Sequence, residues 1–261
     1  MPSWVIVGAG YTGGRVAARL RGDGHEVIET HRDTLDLAAP SERRFPGATV
    51  VCCAPPGGDP AGEIANLVAL GGRRIVYVSS TGVYAPGGGA WVDESWPLEP
   101  VTASGRARLA AERALLAADD LAHAARPTPG GVAILRVAGI HGPGRGLVDR
   151  IRAGTYRIIG DGTAHVSRIH VDDLVEAIVR AGASEAAGAF NIADDDPAPI
   201  GEVADAVAAY FGLPPPPRVP ASSVDAEVAG MLTADRRIAN GRMKRELGVV
   251  LGWPSWRASL G

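Results

Sequence analysis

The sequence is poor in lysine, cysteine, aromatic residues and long apolar runs, and each shortage excludes something. Lys244 is the one lysine among 26 basic residues, so no ε-amine is on hand in the first 243 positions. Two cysteines, the adjacent Cys52 and Cys53, cannot build a disulfide framework. No apolar stretch approaches the ~18–20 residues that cross a bilayer. The opening MPSWVIVGAG has neither the charged segment nor the apolar run of a secretion signal. With 26 basic against 29 acidic residues the net charge is −3, which leaves no basic footprint for nucleic acid and no polybasic patch for a membrane surface. The expectation is a cytoplasmic protein whose partner is a small molecule, not nucleic acid or membrane. Tyrosine is also absent between Tyr84 and Tyr156, a gap that matters below.

What is there reads as globular: 46% hydrophobic and 21% charged over 261 residues, close to average usage. Residues 5–7, 49–54, 74–79 and 132–137 are apolar runs without alternation, as in strands covered on both faces, and 26–30 reads as a further strand. Between them, residues 12–20, 62–70 and 104–118 carry helical patterning. Strands alternating with helices predict an α/β fold, a Rossmann-type doubly wound parallel sheet. After residue 137 the texture changes to short elements, with helices expected at 147–153 and 200–211 and a strand at 190–192. The expected division is a nucleotide-binding core over 1–138, rejoined by 165–195, and a small C-terminal substrate lobe from 139–164 and 196–261.

Gly8, Gly10 and Gly13 form G-x-G-x-x-G between the first strand and first helix. Gly8 permits the tight turn, Gly10 lets a pyrophosphate approach the backbone, and Gly13 lets helix and strand pack closely. Tyr11 and Thr12 lie inside this loop, where free helix N–H groups favour phosphate. At the end of the second strand, an acid would hold the ribose of NAD and an arginine the 2′-phosphate of NADP. Here Glu29 lies within the strand, while His31 and Arg32 follow its tip. The reading is NADP(H), with NAD as the alternative should Glu29 reach the ribose. Ala54, ending the third strand, completes the expected cofactor contacts.

Further segments resemble an extended short-chain dehydrogenase/reductase of the NAD-dependent epimerase/dehydratase group. Residues 79–84 (SSTGVY) are similar to its S-S-x-x-V-Y-G, and Asp93-Glu94 with Pro97 and Pro100 to its E-x-x-P-x-x-P loop. Residues 136–144 (RVAGIHGPG) are similar to its R-x-x-x-v-y-G-P-G, and 169–174 (IHVDDL) to its i-H-v-x-D-v/l. The family's proton-transferring pair, Y-x-x-x-K, falls on the helix after the proline loop. There this chain has Ser104 and Arg108, with Glu112 in step. A serine hydroxyl is too weak an acid to replace a tuned phenol, and an arginine is a poor proton relay though able to hold ribose hydroxyls. In this the chain resembles the atypical YeeZ-like members.

The resemblance gives Ser80 the role of polarising a substrate oxygen, so Ser80, Ser104 and Arg108 are the catalytic candidates and Arg108 also a cofactor contact. His141 is a candidate acid or base at the cleft rim, against a loop histidine. Tyr84, His170, Cys52 and Cys53 read as structural, Asp93 and Glu94 as a solvated loop. Asp161, His165, His170 and Asp172 lack metal-ligand spacing, and no metal is expected. Two functions follow: an NADP(H)-dependent oxidoreductase or epimerase-like enzyme on a small carbonyl or hydroxyl substrate, or an inactive NADP(H)-binding sensor or regulatory protein. A homodimer through the helix over 104–118 is what the resemblance implies.

Overall fold

A computed structural model of the chain describes residues 3–125 and 131–260. Six strands form one sheet: β1 (Trp4–Val7), β2 (Val27–Thr30), β3 (Thr49–Cys52), β4 (Arg74–Ser80), β5 (Val132–Val137) and β6 (Gly188–Ile192). The order is β6-β5-β4-β3-β1-β2, with every pairing parallel. The four inner strands, β1, β3, β4 and β5, are almost wholly buried because both of their faces are covered. Along β1, Val5 and Val7 point to one face while Trp4 and Ile6 point to the other, the two-residue period of a strand.

On the first face, α2 (Pro60–Ala69) and α3 (Ala103–Ala125) bury Ile64, Leu67, Ala111 and Leu115. On the second, α1 (Tyr11–Gly22) and α5 (Val171–Ala183) bury Val16, Leu20, Leu174 and Ile178. Burying a side chain of this size is worth roughly 1.5–3 kcal/mol, so these two layers hold the sheet. The chain reverses direction across the sheet between β1 and β3, and the crevice above their carboxyl ends is where open α/β sheets take ligands.

The lobe packs α4 (Leu147–Arg152) against α6 (Ile200–Tyr210) around Ile151, Tyr156, Ile158, Val203, Val207 and Trp256. Helix α7 (Ala226–Leu232) reaches from it toward the core. One segment departs from the expected division. Helix α8 (Gly241–Glu246) and the residues after it place Met243, Leu247 and Val249 in the main core beside Phe190 and Ile192. The lobe therefore does not hold the whole of 196–261; the chain returns to the sheet edge near its end. Among the described residues no helix is long and apolar enough to cross a membrane.

Candidate active site

The glycine loop has the geometry that its spacing requires. Gly8 sits at φ +84, and a Cβ there would lie 2.8 Å from the Ala54 nitrogen. A Cβ on Gly13 would lie 2.4 Å from the Gly8 carbonyl oxygen and 3.1 Å from Ile6, so only glycine lets α1 approach β1 this closely. Gly10 is different: a Cβ would meet nothing within 4 Å, so the space above it is open. Gly10 caps α1 without any side-chain hydrogen bond to the first turn, leaving N–H groups for an anion. An open cradle at a helix N-terminus fits a dinucleotide pyrophosphate.

Two cavities meet at this loop. The smaller, about 440 Å³, is lined by His31, Arg32, Leu35, Asp36, Ala54 and Glu63 among others. Glu29 does not line it; its carboxylate pairs with Arg21 on α1. The larger, about 550 Å³, runs from Gly10, Tyr11, Thr12 and Gly13 past Ser80, Ser104 and Arg108 to His165, Met231, Asp235 and Arg236 in the lobe. Tyr11 closes one side: its hydroxyl donates to the Pro143 carbonyl at 3.1 Å, and Arg15 lies 4.0 Å over its ring.

The three catalytic candidates share this larger cleft, each with a protein partner. The Ser80 hydroxyl oxygen accepts the Gly82 N–H at 3.0 Å, and its own proton has no acceptor among the described residues. The Ser104 hydroxyl donates to Glu227 of α7, whose carboxylate also accepts the Ala103 and Ser104 N–H groups at 2.8 and 3.0 Å. Glu227 thus caps α3 from the lobe, and the Ser104 hydrogen bond holds its carboxyl below the usual range. The Arg108 guanidinium donates to the Val78 carbonyl and lies 5.9 Å over Tyr77.

Other candidates fall elsewhere. His141 does not line the cleft; burial pushes it down to about 4, and its ring packs edge-on to His170 at 5.3 Å. A ring kept neutral this way is a poor proton donor near neutrality, so of the two readings of His141 the acid–base one loses support. His170 caps α5, its Nδ1 accepting the Asp172 N–H at 3.3 Å, and stacks on Trp253 at 4.3 Å. Tyr84 is fully buried and donates to Asn191 at 2.7 Å, its hydroxyl pushed up to about 12 by burial. Burial likewise pushes Cys52 to about 11 and Cys53 to about 12, so neither is a reactive thiolate. Glu94 is no solvated loop residue: its carboxylate accepts the Asn191 N–H at 2.8 Å.

Sequence reasoning missed two arrangements. Glu112, one turn past Arg108, forms a buried ion pair with Arg136 at 2.8 Å and accepts from Ser79; its sequence signature is only its position in step with 104 and 108. In the lobe wall, His165 Nδ1 lies 2.9 Å from Asp235, a pairing across 70 residues that no local pattern reveals. Beside it, Arg236 is 8% exposed and donates to the Thr81 carbonyl; among the described residues it pairs with no carboxylate and its Nε has no partner. Among those residues no group of three His, Cys, Asp or Glu side chains is placed to hold a metal.

Residues 63–193 match the model of the NAD dependent epimerase/dehydratase family. The chain belongs to that family. Its members use a nicotinamide cofactor, in keeping with the cradle at Gly10. The chain is similar to a Streptomyces protein described as a 3-diazoavenalumate denitrifying reductase, at 33% identity over 74% of this chain and 66% of that one. The match thus spans just under two thirds of that relative. A conserved protein of unknown function from Silicibacter pomeroyi is 31% identical, with TM-score 0.80 and coverage of 100% and 97%. The fold also matches a human epimerase family protein, SDR39U1, solved with NADPH, at TM-score 0.76, 19% identity, and coverage of 98% and 97%.

Proposed function

We propose that this chain is an NADP(H)-dependent oxidoreductase acting on a small anionic carbonyl or hydroxyl compound. The observation that carries this is the larger cleft, which runs unbroken from the glycine loop to a lobe wall holding polar and charged side chains. The reduced nicotinamide supplies a hydride when bound. Around it, Ser80 offers a polarising hydrogen bond to the substrate oxygen, and Arg108 borders the space for the nicotinamide ribose. Arg236, buried with no carboxylate partner among the described residues, is suited to a substrate carboxylate, since an uncompensated buried guanidinium is costly until paired. In the smaller cavity His31 and Arg32 flank the expected place of the adenosine ribose. The pairing of Glu29 with Arg21 removes the acid that would prefer a free 2′-hydroxyl, which supports NADP over NAD.

A second acceptor class has its own support in the Streptomyces relative, whose name gives a diazo carboxylate as its substrate. Replacing an aryl diazonium group by hydrogen takes one hydride and releases N2. That needs no proton at oxygen, which suits a chain with Ser104 where the family has tyrosine.

The test is NADPH consumption against a panel holding 4-carboxybenzaldehyde, phenylglyoxal, 9,10-phenanthrenequinone and a carboxylated benzenediazonium salt. Turnover of any of them, lowered at least tenfold in kcat/KM by Arg236→Met for the carboxylated probes, is the expected result. No consumption above background with the whole panel, by a protein that binds NADPH, would instead make it a cofactor-binding sensor.

A further inference from the structure

The family's tyrosine has no counterpart here, yet the cleft does contain a titratable pair suited to proton transfer. His165 and Asp235 both line it, together with Ser80 and Thr81. Asp235 Oδ1 holds His165 twice, through the main-chain N–H at 2.7 Å and the ring Nδ1 at 2.9 Å. A carboxylate on Nδ1 places the ring proton there in the neutral form, fixes the ring's orientation, and leaves Nε2 to exchange protons. Nε2 makes no hydrogen bond among the described residues, and the two side chains stay 20% and 29% exposed, buried enough to be oriented and open enough to meet a ligand.

The backbone around the pair is built to hold it. Asp235 is the one non-glycine residue with positive φ among those described, at +47, a conformation that costs about 1 kcal/mol or more and persists only where the surroundings impose it. Its carbonyl accepts the Gly89 N–H at 2.8 Å, and a Cβ on Gly87 would lie 2.6 Å from the same oxygen. The Gly87-Gly88-Gly89 run therefore exists in contact with Asp235. Arg236 then ties the pair to the sheet: its N–H donates to the His165 carbonyl at 3.2 Å, and its guanidinium to Thr81, beside Ser80. The other charged group acting on Asp235 is Arg237.

We infer that His165, oriented by Asp235, is the proton donor and acceptor of this active site, taking the place of the missing tyrosine. The inference rests on the oxidoreductase reading above. In reduction, the carbonyl carbon gains a hydride from NADPH and the π pair moves to oxygen. That oxygen takes the proton from Nε2 of the imidazolium, leaving the alcohol, NADP⁺ and a neutral ring with its proton on Nδ1. A proton from water restores the imidazolium. In oxidation the same atoms run backwards, with neutral Nε2 as base. His165 is the catalytic residue and Asp235 its positioning residue.

The experiment compares wild type, His165→Ala and Asp235→Asn on the carbonyl probes, alongside NADPH binding and 15N imidazole spectra of the cofactor-free protein. The expected result is a loss of 100-fold or more in kcat for His165→Ala, NADPH affinity within threefold of wild type, and partial rescue by added imidazole. The spectra should show the neutral His165 ring protonated on Nδ1, and Asp235→Asn should shift that proton toward Nε2 while altering the pH–rate profile. His165→Ala with kcat within threefold of wild type would overturn the inference and leave the oxidoreductase reading intact. So would a neutral ring protonated on Nε2 in wild type. A wild type that binds NADPH but reduces no carbonyl probe would remove the oxidoreductase reading for carbonyls, and the proton donor with it.

Discussion

Asp194 is 1% exposed, and its Oδ2 has no partner among the described residues. Burial pushes its carboxyl up from 3.8 to about 7. A carboxyl raised on folding favours the folded state below its unfolded value, and that contribution is lost as pH rises through the folded one. Asp194→Asn keeps the oxygen that accepts the Asp196 N–H and removes the charge. It should therefore raise stability at pH 8 by a few kcal/mol, on the order of the shift itself, with the gain gone below pH 4. Urea unfolding at the two pH values checks this, and an equal or opposite effect at pH 8 would contradict it. The glycines give a paired prediction at the same scale. Gly13→Ala forces a Cβ to 2.4 Å from the Gly8 oxygen and should lower Tm and abolish NADPH binding together. Gly10→Ala meets nothing in the protein, so Tm should hold while the NADPH Kd rises at least tenfold. A Gly10→Ala protein binding as wild type does would mean that no ligand approaches there. These residues were legible because their roles are local: turn, approach and helix start follow one another within six positions.

Helix α3 shows what local patterns conceal. Its Ala, Leu, Arg and Glu content marks it as a helix, and its place after the proline loop identifies Ser104 and Arg108. Nothing nearby in sequence says that Glu112 meets Arg136 on β5, that Arg136 also donates to Tyr84 at 3.0 Å, or that Glu227 caps the helix from 123 residues away. Those partners arrive through strand order and lobe docking. The pair is buried on both sides, 4% and 1% exposed by side chain, so removing one member strands the other charge. Glu112→Ala should cost roughly 3–5 kcal/mol, read as a shift in the urea midpoint, whereas a loss under 1 kcal/mol would show Arg136 relaxing into solvent. The inner strands were readable for the opposite reason: double burial forces apolar runs rich in β-branched residues, whose bounds differ from expectation by no more than two residues.

At the scale of the molecule, the core was more legible than the lobe. Long apolar runs and a glycine fingerprint specify a parallel sheet, while two-residue ladders and short helices carry little period of their own. The return of Met243, Leu247 and Val249 to the sheet and the meeting of His165 with Asp235 both depend on how the lobe closes over the crevice. The proposed function requires a dinucleotide lying across the two cavities with its 2′-phosphate at His31 and Arg32. The most direct test is a fluorescence titration of the purified protein with NADPH and NADH, repeated with Arg32→Ala. The expected result is micromolar NADPH binding, weaker NADH binding, and an Arg32→Ala protein that loses about 10–100-fold for NADPH alone, the worth of one charge-assisted phosphate contact. Equal affinity for both nucleotides, unchanged by Arg32→Ala, would contradict the 2′-phosphate assignment, and binding of neither would contradict the site.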